Sequence, residues 1–444
     1  GRPYAFMLRP SARWSNADPV VAEDFAYAFR RLVDPATASQ YALMLEPVEN
    51  AADIVAGRQP PAALGVSAPD DRTLIVQLAA PSPYFTAMLS HPSTFPVHRA
   101  TLAVRGSEFA RPGVAVTNGA FVPVEWQIGS HILAKRNPHY WNDAANRLDA
   151  VRYVHVADPV TELTRFRAGD LDVTYTVPPG EVARLERELP GQLRIGPHVG
   201  VYYYGLALDL PPFKDSPKLR QALAMAIDRE VLTQQVLGDG ERPALGWVPE
   251  GVAGYAPQRF PWATLDDAAR LAEARRLYAE AGYSERRPLR VELRSSKSPI
   301  HDRIALAVTA MWKQQLGAEV GLRSEDFRVL KAAIDAREAA LFRASWIGDY
   351  NDAYSFLQLL KSGFGINLPR YASAKYDQLL AAASGAGGDE RAALLAAAER
   401  QLLEDAPLIP LYFYVSKHLV APRVSGWYDN VMNVTYGKDL SIAR

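Results

Sequence analysis

The sequence predicts an α/β protein of two or three lobes, and three observations carry this. The 444 residues, 48% of them hydrophobic, are more than one core usually holds and enough for two or three. Short β-branched and aromatic runs alternate with amphipathic helical patterns along the chain. No stretch has the composition of a flexible linker, so the lobes should connect through strands that cross between them.

Gly1–Arg9 reads as the middle of a strand rather than a natural start, so the chain is read as truncated or processed at its N-terminus. Val20–Leu32 places Val21, Phe25, Ala28, Phe29 and Leu32 on one helical face, and Asp34-Pro35 ends it. Thr73–Leu78 alternates as a half-buried strand, stopped by Pro81-Ser82-Pro83. Phe95-Pro96-Val97 leads into a small helix ending near Gly106. From about 110 to 205 the pattern is mostly strand and turn. Thr117–Phe121 enters a strand, Ile132–Arg136 continues the sheet, and Val151–Val156 and Leu171–Tyr175 are further strands around a helix at Pro159–Ala168. Tyr202-Tyr203-Tyr204 is a strand with aromatics on both faces.

After Asp215 three helical patterns follow, Leu219–Arg229, Asp266–Ala281 and Ile300–Leu316, the last two stopping near glycine. Ala318–Leu322 is a short strand. The alanine-rich run Leu379–Leu403 is broken into two helices by Gly385-Ala386-Gly387-Gly388, which lacks the Lys-Ser/Thr of a phosphate loop. Ile409–Val415 is a buried strand returning to the earlier sheet.

Composition excludes several classes of function. With 49 basic and 49 acidic residues the formal charge is zero, which argues against a nucleic-acid partner held by a basic face. There is no cysteine, so disulfides, zinc–thiolate sites and cysteine nucleophiles are ruled out. No apolar run reaches the roughly 18 residues of a membrane span. The eight histidines lack metal-ligand spacing, and no nucleophile elbow, P-loop or dinucleotide fingerprint occurs. No cofactor, metal or catalytic group is expected.

The most informative stretch is Arg343–Asp352, where an arginine, a tryptophan and an acid follow one another without helical periodicity. Taken alone, Asp349 reads as a turn carboxylate beside Tyr350-Asn351, and Arg343 as a surface ion-pair residue. The same two charges, six residues apart, can also meet the two ends of a short zwitterionic ligand, with Trp346 against its middle.

Several separated segments resemble a known family. Trp14-Ser15-Asn16-Ala17-Asp18-Pro19-Val20-Val21-Ala22-Glu23-Asp24-Phe25 is similar to its W-S-(N/D)-G-x-P-(V/F)-T-A-x-D-F signature. Thr117–Phe121, Arg136-Asn137-Pro138-His139-Tyr140-Trp141, Pro212-Phe213 with Leu219–Leu223, and Ala226-Ile227-Asp228-Arg229 match further signatures in order. The chain thus resembles the bacterial extracellular solute-binding proteins of family 5, which serve ABC importers. Asp34–Tyr41, Gly348–Asp352 and Leu411–Val415 with Leu419-Val420 resemble their oligopeptide- and murein-peptide-binding branch (OppA- and MppA-like).

The resemblance implies a periplasmic-binding-protein-like α/β fold (class II, cluster C), two-lobed and hinge-closing, with an accessory domain. Residues 1–100 would form an N-terminally incomplete accessory lobe, 101–205 plus 417–444 the first ligand-binding lobe, and 206–416 the second. Family members have several dozen residues before the W-S-N segment, so the first sheet is expected to lack strands and to expose edges. The expected function is capture of short, extended peptides for an ABC importer, whose membrane subunits are the partner, by a monomeric periplasmic or cell-surface protein.

In that branch the acid at Asp349 pairs with the peptide α-ammonium, and Arg343 and His301 serve ligand carboxyl ends. Ser345 and Ile347 would pair backbone to backbone with the ligand as an added strand. Tyr41 lines the cleft and Trp346 borders a side-chain pocket. Tyr203, Trp247 and Tyr414 complete the implied contacts, and Phe327 replaces a tryptophan in a second pocket. Leu237 or Gln235 stands where a lysine can occur. Rival ligands are a murein tripeptide, a signalling peptide or a nickel chelate, and rival classes are a peptidase or a chaperone-like protein.

Overall fold

The computed structural model describes residues 1–443, which form two compact units. One unit holds Gly1–Val177, His418–Tyr428 and Val434 onward, and the other holds Pro178–Lys417 and Asp429–Asn433. The chain changes unit at Val177–Pro178, Lys417–His418, Tyr428–Asp429 and Asn433–Val434. Sequence reading expected lobe boundaries after residues 100, 205 and 416. Residues 178–205 lie in the second unit because the strand ending at Leu206 pairs within that unit's sheet.

In the first unit, strands Pro3–Met7 (β1), Val66–Asp70 (β2) and Thr73–Gln77 (β3) form an antiparallel sheet in the order β1-β3-β2. The helix Ala22–Val33 buries Ala22, Ala26, Ala28, Phe29, Leu32 and Val33, close to the predicted face. Asp24 on this helix is buried and fully engaged. It accepts from Trp14 Nε1–H (3.0 Å), the Val21 N–H (3.1 Å) and Arg99 (2.9 Å), so the W-S-N signature works here as structure. Phe121–Gln127 (β4), His131–Arg136 (β5) and Ala150–Val154 (β6) form a second antiparallel sheet.

The predicted strand Leu171–Tyr175 is only a bridge, Val173 to Val420, held by Thr174 N–H to the Leu419 carbonyl (3.0 Å). Its partner lies some 250 residues later, and the contact is too short to extend into a ladder. Val424–Ser425 (β13) pairs with Ser441–Ile442 (β14) nearby.

The second unit is built on Leu193–Leu206 (β7), Arg242–Pro243 (β8), Arg290–Ser296 (β9), Glu319–Glu325 (β10), Leu341–Ile347 (β11) and Leu408–Leu419 (β12). Their order is β10-β9-β11-β7-β12-β8, with β9–β11 parallel and β7 antiparallel to β11. β7 is buried along Val199–Leu206, as a central strand should be. The helix Pro299–Leu316 opens on proline and stops at Gly317, whose φ of 69° suits glycine. Its Trp312 is fully buried, donates from Nε1 to the Leu223 carbonyl (2.8 Å), and lies 6.1 Å from the Tyr204 ring. The alanine-rich run folds as two helices, Ala374–Gly385 and Gly388–Asp405, separated at the glycines as expected.

One helix is shorter than predicted. Pro217–Met225 stops before Ile227, although the apolar period continues. Buried Arg229 donates to the Ala224 (2.9 Å) and Ile227 (3.3 Å) carbonyls, and Arg270 donates to those of Met225 and Ile227. The last carbonyls are thus satisfied by side chains, not by a further helical turn.

Candidate functional site

The site residues cluster along β11. Facing residues Arg343/Tyr204, Ser345/Tyr202 and Ile347/Gly200 share one face of the β7–β11 pair, while Ala344/Tyr203 and Trp346/Val201 share the other. This close pairing needs glycine on β7. A Cβ on Gly200 would run into Ile347 Cδ1 and stand 2.9 Å from the Tyr414 ring, and one on Gly205 would collide with the Phe342 ring.

The two edges of β11 differ. Gly348 N–H donates to the Val199 carbonyl (2.8 Å) and Ala207 N–H to the Ala340 carbonyl (2.8 Å), so even-numbered residues turn their backbone groups toward β7. Odd-numbered residues face the opposite edge, where pairing with β9 covers only Leu341 and Phe342. The Phe342/Arg294 pairing still engages the Arg343 N–H, but at Ser345 and Ile347 the backbone groups face outward with no strand partner among the described residues. Ser345 and Ile347, expected to pair with a ligand's backbone, thus lie on an edge that β9 leaves open.

At the start of this edge lies a cluster rich in unsatisfied polar groups. The Arg343 guanidinium sits 4.7 Å over the Tyr202 ring and donates from Nη2 to Ser345 Oγ (3.3 Å) and Tyr414 Oη (3.4 Å). No carboxylate pairs with it among the described residues. The His301 ring is 5.5 Å from Tyr202, and burial, with the Arg343 charge adding, lowers its pKa to about 4, so it is neutral at physiological pH. Arg343 Nε, His301 Nδ1 and the Tyr204 hydroxyl are buried with no hydrogen-bond partner among the described residues. Buried donors of this kind are costly unless a ligand or water meets them. Burial keeps the Tyr202 and Tyr203 phenols well above their ordinary range, hence protonated.

At the other end is Asp349. Its backbone N–H donates to Ser355 Oγ (3.0 Å), but its half-buried carboxylate accepts no hydrogen bond and meets no cation among the described residues. Desolvation raises its pKa to about 6. It is therefore not the turn carboxylate that Asp beside Asn usually is. The turn is closed instead by Asp352, which donates its N–H to the Tyr350 carbonyl (2.9 Å) and accepts from Tyr354 N–H (2.8 Å). Trp346 is half-buried, with Nε1–H on the Ser355 carbonyl (3.0 Å).

The other expected residues fall in three places. Tyr203 meets Trp247 edge to face (5.0 Å), and Trp247 is fully buried with Nε1–H on the Phe356 carbonyl (2.9 Å). Trp247 thus supports the strand from beneath instead of presenting a free surface. Phe327 is 61% exposed at the start of the helix Phe327–Asp335. Tyr41 belongs to the first unit, where it is exposed and lies 4.5 Å from the His91 ring. Leu237 is buried and Gln235 exposed, so neither supplies the cation a lysine would. Sequence reasoning missed Ser355, which has no local signature. It also passed over Tyr202, although the tyrosine triplet contains it.

A model of the bacterial extracellular solute-binding proteins, family 5 Middle, matches residues 1–367. The chain belongs to this family. Among curated family 5 relatives, the periplasmic oligopeptide-binding protein OppA of Salmonella typhimurium is 37% identical over 99% of this chain and 82% of its own. The probable deoxycholate-binding periplasmic protein YgiS of Escherichia coli is 39% identical over 100% and 83%. Among solved structures, the Escherichia coli murein tripeptide binding protein MppA superposes with a TM-score of 0.89 at 35% identity, covering 100% of this chain and 87% of that one. The two-lobed α/β fold of family 5 solute-binding proteins is therefore the fold of this chain. Among its described residues no helix is long and apolar enough to cross a membrane, and no cluster of His, Asp or Glu is suited to a metal ion.

Proposed function

We propose that this chain is the peptide-binding component of an ABC importer, working outside the cytoplasmic membrane with the importer's membrane subunits. Its ligand is a short peptide held extended along β11. The observation that carries this reading is a half-buried Asp349 carboxylate with no cation among the described residues, at one end of an open strand edge that has Arg343 at its other end. A peptide's invariant features are an ammonium, a carboxylate and the backbone between them. The ammonium fits Asp349, the carboxylate fits Arg343 and His301, and the backbone fits Ser345 and Ile347. Side chains then need only adaptable, hydrated space. The reading is supported by the OppA relatives and by the absence of any nucleophile–base motif in the sequence.

Calorimetry with alanine di- to pentapeptides and their N-acetylated forms tests it. Free-amino peptides should bind and acetylated ones should bind at least tenfold more weakly. Binding of neither, or of both equally, refutes the proposal. The likeness to MppA favours a second reading, that the peptide is a murein tripeptide. Preference for that tripeptide over alanine peptides in the same titration would establish it, and preference for deoxycholate would displace both.

A further inference from the structure

Asp349 presents a physical difficulty that points to two further residues. A carboxylate that accepts no hydrogen bond has nothing at its own oxygens to fix its position, so its aim must come from the loop that carries it. Two contacts hold that loop. Ser355, fully buried, receives the Asp349 N–H on its hydroxyl (3.0 Å), while its carbonyl receives Trp346 Nε1–H (3.0 Å). One residue thus fixes both the acid and the indole. Three residues past Asp349, Asp352 takes a two-pronged bond from Arg391 (2.8 and 3.0 Å), with both side chains mostly buried at 14% and 13% exposure. Planar guanidinium–carboxylate pairing of this kind fixes orientation as well as distance.

Arg391 stands on the helix Gly388–Asp405, whose buried Glu399, just over two turns on, holds the neighbouring loop. Glu399 accepts from the N–H groups of Trp247 (2.8 Å), Val248 (2.8 Å) and Gln258 (3.1 Å) and from the Tyr255 hydroxyl (2.5 Å). Asn351 Oδ1 in turn accepts from Ala253 N–H (3.0 Å), tying the two loops together. The Asp349 loop is therefore referenced to one rigid helix.

We propose that Ser355 and Arg391 are positioning residues for ligand binding, acting through the Asp349 loop so that recognition of a free amino terminus depends on them. This rests on the reading that Asp349 receives the ligand's α-ammonium. The test compares the affinities of trialanine and N-acetyl-trialanine for the full chain and its Ser355→Ala, Arg391→Gln, Arg391→Lys and Asp349→Asn variants, with a thermal melt of each. The ratio of the two affinities is the readout, because general destabilisation lowers both together.

The ratio should fall at least fivefold in Ser355→Ala and Arg391→Gln and recover in part in Arg391→Lys. If Ser355→Ala and Arg391→Gln keep the wild-type ratio while Asp349→Asn loses it, the positioning roles are refuted and the peptide reading stands. If Asp349→Asn also keeps it, or if trialanine does not bind the unaltered chain, the peptide reading fails and this inference falls with it. Should Arg391→Gln fail to fold, Ser355→Ala, which removes one oxygen, decides the matter.

Discussion

Removing the charge of Asp349 should weaken ligand binding, abolish its pH dependence and stabilise the free protein. The carboxylate is desolvated and has no partner among the described residues, and its pKa is raised from 3.8 to about 6. A charge-assisted hydrogen bond to an ammonium is worth about 1.5–3 kcal/mol, so Asp349→Asn should raise the Kd of a free-amino peptide by roughly 10- to 150-fold at pH 7. Only the ionised acid pairs with the ammonium. With a free-state pKa near 6 it is about nine-tenths ionised at pH 7 and about one-tenth at pH 5, so wild-type affinity should fall about tenfold between them. A peptide ammonium and carboxylate keep their charges over that range, and His301, with a pKa of about 4, stays neutral.

Stability runs in the opposite sense. Because the folded-state pKa lies above the unfolded one, the folded chain holds a proton that the unfolded chain has released between about pH 4 and 6. Stability therefore drops as pH rises through that window and stays lower above it. The full shift corresponds to about 3 kcal/mol, and partial exposure reduces this to about 1–2 kcal/mol. Asp349→Asn should gain that amount at pH 7 and nothing at pH 4. Calorimetric titration at pH 5 and 7, with thermal melts of the free proteins, measures both effects. Equal wild-type affinity at the two pH values, or a pH slope that survives in Asp349→Asn, would refute the reasoning.

Four other outcomes follow from the same geometry. Arg343→Met should weaken peptides with a free carboxylate by about 10-fold or more and leave their amidated forms nearly unchanged in the same calorimetric assay. Ile347→Pro removes an outward-facing N–H but no hydrogen bond to β7, so peptide affinity should drop about 2- to 12-fold with little change in melting temperature. Trp346→Pro, which breaks the β7 ladder, should lower the melting temperature markedly. Glu399→Ala strands four donors, two of them buried, and should destabilise the chain by about 3–5 kcal/mol, read from denaturant unfolding.

The sequence made much of the fold legible where local chemistry decides. Pro299 and Gly317 mark the ends of one long helix, and the glycine run at 385–388 separates two others, because starts and stops of this kind depend on backbone freedom alone. The helix expected at Leu219–Arg229 ends early, at Met225, because its stop is set by two arginine side chains brought in from outside the helix. Leu171–Tyr175 has the alternation of a strand, but it meets its partner segment at a single bridge, Val173 to Val420.

For the site, the sequence by itself determined the inventory: a strand carrying Arg343, Ser345, Trp346 and Ile347, an acid six residues beyond the arginine, and a family signature around them. Whether those charges were ordinary surface features was a tertiary question. The fold bears on it through β9 leaving β11 after Phe342, which opens the outer edge, and through burial of an Asp349 carboxylate that has no partner among the described residues. Ser355 and Arg391 enter for the same reason. Desolvation and orientation come from residues that the fold brings around a site, and spacing along the chain carries little information about which residues those are.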